Sequence, residues 1–193
     1  MGRTPRRIGF TLLELMIALA VMAVLGAITL PSFTALIDRQ RLHAAVRHLQ
    51  ADIALARVES GRRGRPVQIH FEPASQAGAA WCYSLSTGTP PDCRHPGVTS
   101  ANGVIRVVSS QEFPGITLHQ ADAMAVDASG AGGLINQGRL GNGLPLQRSQ
   151  ANFSSRGGLQ LRLVLGLMGR ASLCAPGAPV AHLPACPPDT SPA

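Results

Sequence analysis

Twenty-one residues near the amino terminus, Phe10 to Leu30, read FTLLELMIALAVMAVLGAITL, and 17 of them are apolar. No other segment restricts the fold so tightly. As a helix at ~1.5 Å per residue it is about 31 Å long, enough to cross the hydrocarbon core of a bilayer. Arg3, Arg6 and Arg7 precede it, Pro31 follows, and Asp38, Arg39 and Arg41 form a mixed flank beyond. That asymmetry predicts a cytoplasmic amino end, with everything past residue 30 on the far side of the membrane. A buried core helix rarely carries so continuous an apolar run. An ordinary secretory signal has an apolar region of only ~7–15 residues before its small-x-small site. Ala18-Leu19-Ala20 has the form of such a site, yet the apolar run continues ten residues past it.

Glu14 is out of place in this stretch. An acid costs on the order of 2.5–3.5 kcal/mol at mid-bilayer, less near the end of a span. It is tolerated there only if it snorkels to the interface, finds a partner or does a job. The grouping says more than its parts: a basic leader, then Gly9, Phe10 and Glu14, then an apolar helix.

On these residues the chain resembles the type IV pilin superfamily, with Gly9 as the last leader residue, Phe10 as the first mature one and Glu14 as the acidic fifth. Pro31 falls where pilin helices commonly kink. The resemblance implies cleavage after Gly9 by a prepilin peptidase and N-methylation of Phe10. It also implies that Glu14 pairs with the terminal amine of a neighbouring subunit during assembly, an attraction that little water screens in apolar surroundings.

Past Pro31 the helical pattern continues. Leu42, Val46, Leu49, Ile53 and Ala56 repeat at spacings of 4, 3, 4 and 3, which marks one apolar stripe, with Arg39, Arg47 and His48 on other faces. Ser60-Gly61 is the expected stop. Beyond it the period becomes two. Val67, Ile69 and Phe71 alternate with Gln68 and His70, and Leu159, Leu161, Leu163 and Leu165 with Gln160 and Arg162, although Val164 breaks the second polar face. Shorter strand-like runs lie at 81–85, 104–108, 115–119 and 168–174, divided by Pro and Gly turns. The expected fold class is α+β, a long amino-terminal helix packed on an antiparallel β-sheet domain. Its divisions are a leader at 1–9, a membrane or filament-core helix at 10–30, an amphipathic continuation at 31–60, and a periplasmic sheet domain at 61–193. Residues 128–143 hold six glycines without a phosphate-loop pattern and predict a surface loop. The proline-rich stretch from 174 onward predicts an irregular tail that frays beyond Cys186.

All four cysteines lie past the apolar run, at 82, 93, 174 and 186. In an oxidising compartment an even count reads as disulfides. Of three connectivities the local one, Cys82–Cys93 with Cys174–Cys186, is favoured. Each bridge closes a loop of about a dozen residues, worth roughly 3 kcal/mol in the chain-entropy model. Zinc is the weaker alternative, because no CxxC spacing exists. Neither GxSxG nor HExxH occurs, and six histidines are spread over separate elements, so neither an enzyme nor a cofactor is expected.

Two further stretches narrow the resemblance to the GspH/FimT family of minor pilins and pseudopilins. They are ALARVESGRRGRPVQIHF at 54–71, and FSSRGG at 153–158 with GRASLC at 169–174. The family implies a subunit that initiates or caps a type IV pilus or a type II secretion pseudopilus. It implies as partners other pilin subunits, the prepilin peptidase, the inner-membrane assembly platform and membrane lipid. The implied location is the bacterial inner membrane, crossed once, and then the filament. The alternative is a DNA-binding minor pilin, since some FimT-like members take up DNA through a carboxy-terminal Gly-Arg-x-Arg motif. Here Gly169-Arg170-Ala171-Ser172 keeps only the first arginine, and Arg156 and Arg162 are the further candidates.

Charge decides little between the two. All 17 basic residues are arginine and the formal charge is +7, but three arginines belong to the leader, leaving 14 against 10 acids. The densest group, Arg57, Arg62, Arg63 and Arg65, falls in the family-like turn, where solvated structural charge is the default reading. Stacking platforms for single strands are scarce, because only Trp81, Tyr83 and four phenylalanines follow Phe10.

Overall fold

The computed structural model describes residues 11–76, 79–89, 91–93, 103–127, 132–134, 149–166, 169–177 and 183–186, with backbone alone at 27–32 and 132–134. The leader with Gly9 and Phe10, most of 128–143, and the tail at 187–193 lie outside the described residues. The chain divides into two units, Met1–Ile37 and Asp38–Ala193.

One helix, α1 (Leu12–Arg63), contributes to both units. It runs through Ser60 and Gly61, the expected stop, and ends three residues later than the sequence suggests. Gly64, at φ 61°, takes the left-handed conformation that terminates helices. Ser60 does not break the helix because it is buried and turns its hydroxyl back on the chain, donating to the Arg57 carbonyl at 3.2 Å. Arg62 and Arg63 both reach Glu59, one turn back, at 3.3 and 2.8 Å, which supports the added turn.

In the first unit the large apolar side chains of α1 from Leu12 to Leu25 are all at least 52% exposed. No helix among the described residues is long and apolar enough to cross a membrane.

The second unit holds two antiparallel sheets. The first has strand order β3-β2-β1-β5-β6, made of β1 (Val67–Glu72), β2 (Cys82–Ser86), β3 (Val104–Ser109), β5 (Met124–Val126) and β6 (Gly132–Leu134). The second has order β4-β7-β8-β9, made of β4 (Ile116–Ala121), β7 (Ser149–Ser155), β8 (Gln160–Leu165) and β9 (Ala171–Cys174). Leu42, Val46, Leu49, Ile53 and Ala56 are all buried in one core with the inward residues of both sheets, among them Ile69, Leu85, Leu118, Phe153 and Leu163. Trp81 joins the sheets. Its indole N–H donates to the Ile116 carbonyl at 2.7 Å, and its ring meets Phe153 edge-on at 5.7 Å.

Three strands were not expected. β7 carries the inward set Ala151, Phe153 and Ser155, in which small and polar residues hide the period of two. β5 is only three residues long. β6 lies inside the glycine-rich stretch expected to be a surface loop, and Gly132–Leu134 pair with Val126–Met124 instead.

Candidate functional site

Thr11 caps the start of α1. Its hydroxyl accepts the backbone N–H of Glu14 at 3.3 Å, and its carbonyl accepts that of Leu15 at 3.2 Å. Glu14 is the third helical residue, where a carboxylate is favoured by the partial positive charge of the helix start. Thr-Leu-Leu-Glu is thus a capping-box spacing, a local signal that the apolar context obscured. The Glu14 side chain is exposed and finds no partner among the described residues.

The three carboxy-terminal arginines do not converge. Arg156 sits in the β7–β8 turn and Arg170 just before β9, at opposite ends of β8. Six strand residues at ~3.3 Å each separate them by about 20 Å. Arg162, half-buried in β8, donates from Nε to Asn152 Oδ1 at 2.7 Å across to β7. Its charge also acts on Asp122, whose carboxyl burial pushes above the usual range, against the opposing pull of the Gln150 N–H and Arg162.

The basic group at the helix end is mostly structural. Arg57 donates to the Gly169 carbonyl and so ties α1 to the connection before β9, beside Arg170. Arg62 and Arg63 are held by Glu59, whose carboxyl is lowered first by its hydrogen bond from Arg63.

Both cysteine pairs are local disulfides, Cys82–Cys93 and Cys174–Cys186, with Cα separations of 5.9 and 4.8 Å. Glu72 offers an oxygen within 4.8 Å of the Cys82 and Cys93 sulfurs, but sulfurs joined to each other present no thiolate to a metal. The second bridge holds the segment around Ala185, which pairs in parallel with Ala175 through two backbone hydrogen bonds of 3.1 Å.

Sequence reasoning missed a polar knot in the second unit. Asp52, on α1, is fully buried. Arg106 Nη1 from β3 meets one of its oxygens at 2.8 Å, and the Tyr83 hydroxyl from β2 donates to the other at 2.7 Å. His48, one turn before Asp52, approaches the Tyr83 hydroxyl at 3.0 Å. Burial, and then the Asp52 charge, drive the Tyr83 phenol far above its ordinary pKa, so it stays a donor. The only sequence signal was an acid at a helix position flanked by the buried stripe residues Leu49, Ile53 and Ala56.

Comparison with known proteins follows this division of the chain. Residues 4–30 match the prokaryotic N-terminal methylation motif. Residues 45–179 match the family described as type II transport protein GspH. Among solved structures the chain is similar to the type IV minor pilin FimU of Pseudomonas aeruginosa, at 18% identity over 68% of this chain and 91% of that one, with a TM-score of 0.41. No curated protein matches. With the GspH match spanning well over half its length, the chain belongs to the GspH family of type II transport proteins.

Proposed function

We propose that this protein is a minor pilin or pseudopilin, a structural subunit that helps to initiate or cap a type IV pilus or a type II secretion pseudopilus. One observation carries the reading: a methylation motif at 4–30 joined to a GspH domain at 45–179. The exposed apolar side chains between Leu12 and Leu25 support it, since so large an apolar surface is stable only against lipid or other subunits. Two disulfides in the second unit fit an oxidising, periplasmic location.

In this reading residues 10–30 span the inner membrane once, with the leader in the cytoplasm. A prepilin peptidase cuts after Gly9 and Phe10 is methylated. The assembly platform then passes the subunit from lipid to the filament. There Glu14, whose carboxylate lacks a partner among the described residues, meets the Phe10 amine of a neighbouring subunit. DNA uptake through Arg156, Arg162 and Arg170 is the alternative, and its three arginines lie apart.

The test is made on the processed protein. Mass spectrometry of the mature protein should find methylated phenylalanine from position 10; a start at Val21 would return the segment to an ordinary signal peptide. Glu14→Ala should leave membrane insertion intact and reduce incorporation into sheared filaments. Unchanged incorporation would remove Glu14 from assembly.

A further inference from the structure

Two irregularities of the second sheet meet at one cleft. The first is a bulge in β4. Leu118 pairs with Phe153 and Gln120 with Asn152, so His119 is the extra residue, without a partner in the ladder. A bulge of this kind re-aims a side chain. Here the His119 Nε2 reaches the hydroxyl of Ser154, the residue that pairs with Thr117 on the same two strands. The second irregularity is Gly115, in the turn before β4, at φ 86°. Its bare α-carbon lets the Arg156 side chain lie across the turn: a Cβ there would stand 3.2 Å from Arg156 Nε. The backbone fixes the same approach, because the Arg156 N–H donates to the Gly115 carbonyl at 3.1 Å.

The cleft between them has a volume of about 390 Å³ and is lined by Arg156, His119, Ser154, Thr117 and Ser110 among others. That size falls in the range of small-molecule sites. No carboxylate lines it among the described residues. The Arg156 guanidinium, with its fork of N–H donors, has no side-chain partner among them either. One unneutralised cation beside several hydroxyl groups and an imidazole is a setting for a group with negative oxygens.

We propose that this cleft binds a single oxyanion, the phosphate or carboxylate group of a small solute. Arg156 supplies the charge. Thr117 and Ser110 supply neutral donors, and the bulged His119 holds the Ser154 hydroxyl at the wall. The site is compact and one-sided, unlike a nucleic-acid track, and it does not depend on filament assembly.

Calorimetric titration of the full-length protein in zwitterionic micelles, at constant ionic strength in chloride, tests it with inorganic phosphate and with acetate. Saturable binding at roughly millimolar strength is expected for at least one of the two. The preferred anion identifies the group: phosphate in one case, carboxylate in the other. Arg156→Ala should weaken binding about tenfold or more, as expected for losing hydrogen bonds to a charged group. Thr117→Val, which keeps the arginine, should weaken it severalfold. Arg170→Ala, at the far end of β8, should leave it unchanged, and circular dichroism checks that each variant is folded. Absence of saturation with both anions, or equal affinity in Arg156→Ala, would overturn the proposal. So would equal losses in Arg156→Ala and Arg170→Ala.

Discussion

Tyr83 donates its phenolic proton to Asp52 at 2.7 Å, joining β2 to a helix residue with no exposed surface. Asp52 accepts from Arg106 as well, and these bonds offset the cost of burying its charge. Tyr83→Phe keeps the ring against Phe71 and Trp81 and deletes only the donor. It should lower stability by about 1–3 kcal/mol, the usual penalty for leaving a buried acceptor short of a bond. In a cycle with Asp52→Ala the two changes should be non-additive, because each removes the same contact. Strict additivity in urea denaturation of the full chain would show that the two residues are not coupled.

The two disulfides should differ in what they protect. Each closes a short loop, with sequence separations of 11 and 12, so each is worth roughly 3 kcal/mol by loop entropy. Cys82 stands between the buried Trp81 and Tyr83, so replacing Cys82 and Cys93 by serine should lower the urea midpoint of the whole second unit. Replacing Cys174 and Cys186 should chiefly release the segment around Ala185, read as faster proteolysis there. Equal proteolytic patterns in both variants would count against this division.

Asp122 and Glu59 should give stability slopes of opposite sign with pH. Burial raises the Asp122 pKa above 3.8, so its contribution is full below that value and is lost as pH climbs through the folded pKa. The Arg63 hydrogen bond lowers the Glu59 pKa below 4.5, so its contribution is present above 4.5 and is lost as pH falls through the folded pKa. Urea midpoints between about pH 3 and pH 6 read both effects. Relative to the parent, Asp122→Asn should gain stability as pH rises, and Glu59→Gln should lose it. Slopes of the same sign would refute one of the two environments.

What could be read from the sequence was what repeats or what is local. The stripe from Leu42 to Ala56 is buried because a period of 3.6 survives the absence of tertiary knowledge. β1 announces itself by clean alternation, and β8 by an alternation that Val164 interrupts. The short loops between cysteines favoured the observed pairing. β7 stayed hidden because its inward positions are Ala151, Phe153 and Ser155, and a serine facing the core looks like a turn residue in sequence. Asp52 stayed hidden for a different reason. Its partners Tyr83 and Arg106 lie 31 and 54 residues away, and no local pattern anticipates them. The bulge at His119 and the close approach of Arg156 to Gly115 likewise exist only once β4 and β7 are paired.

The same pairing sets a test for the DNA-binding alternative. Arg156 and Arg170 lie about 20 Å apart along β8, so a duplex would meet them as two separate contacts. Each should neutralise about one phosphate, and Arg156→Ala or Arg170→Ala should each reduce the slope of log K against log salt by about 0.9. At this separation the two losses should add in the double variant. Arg162→Ala should act differently. That side chain is bound to Asn152 and its charge bears on Asp122, so its loss should lower stability and leave the salt slope unchanged. A double-variant loss far beyond the sum, with Arg162 contributing to the slope, would mean that the arginines grip DNA as one unit and would raise DNA uptake above the structural reading.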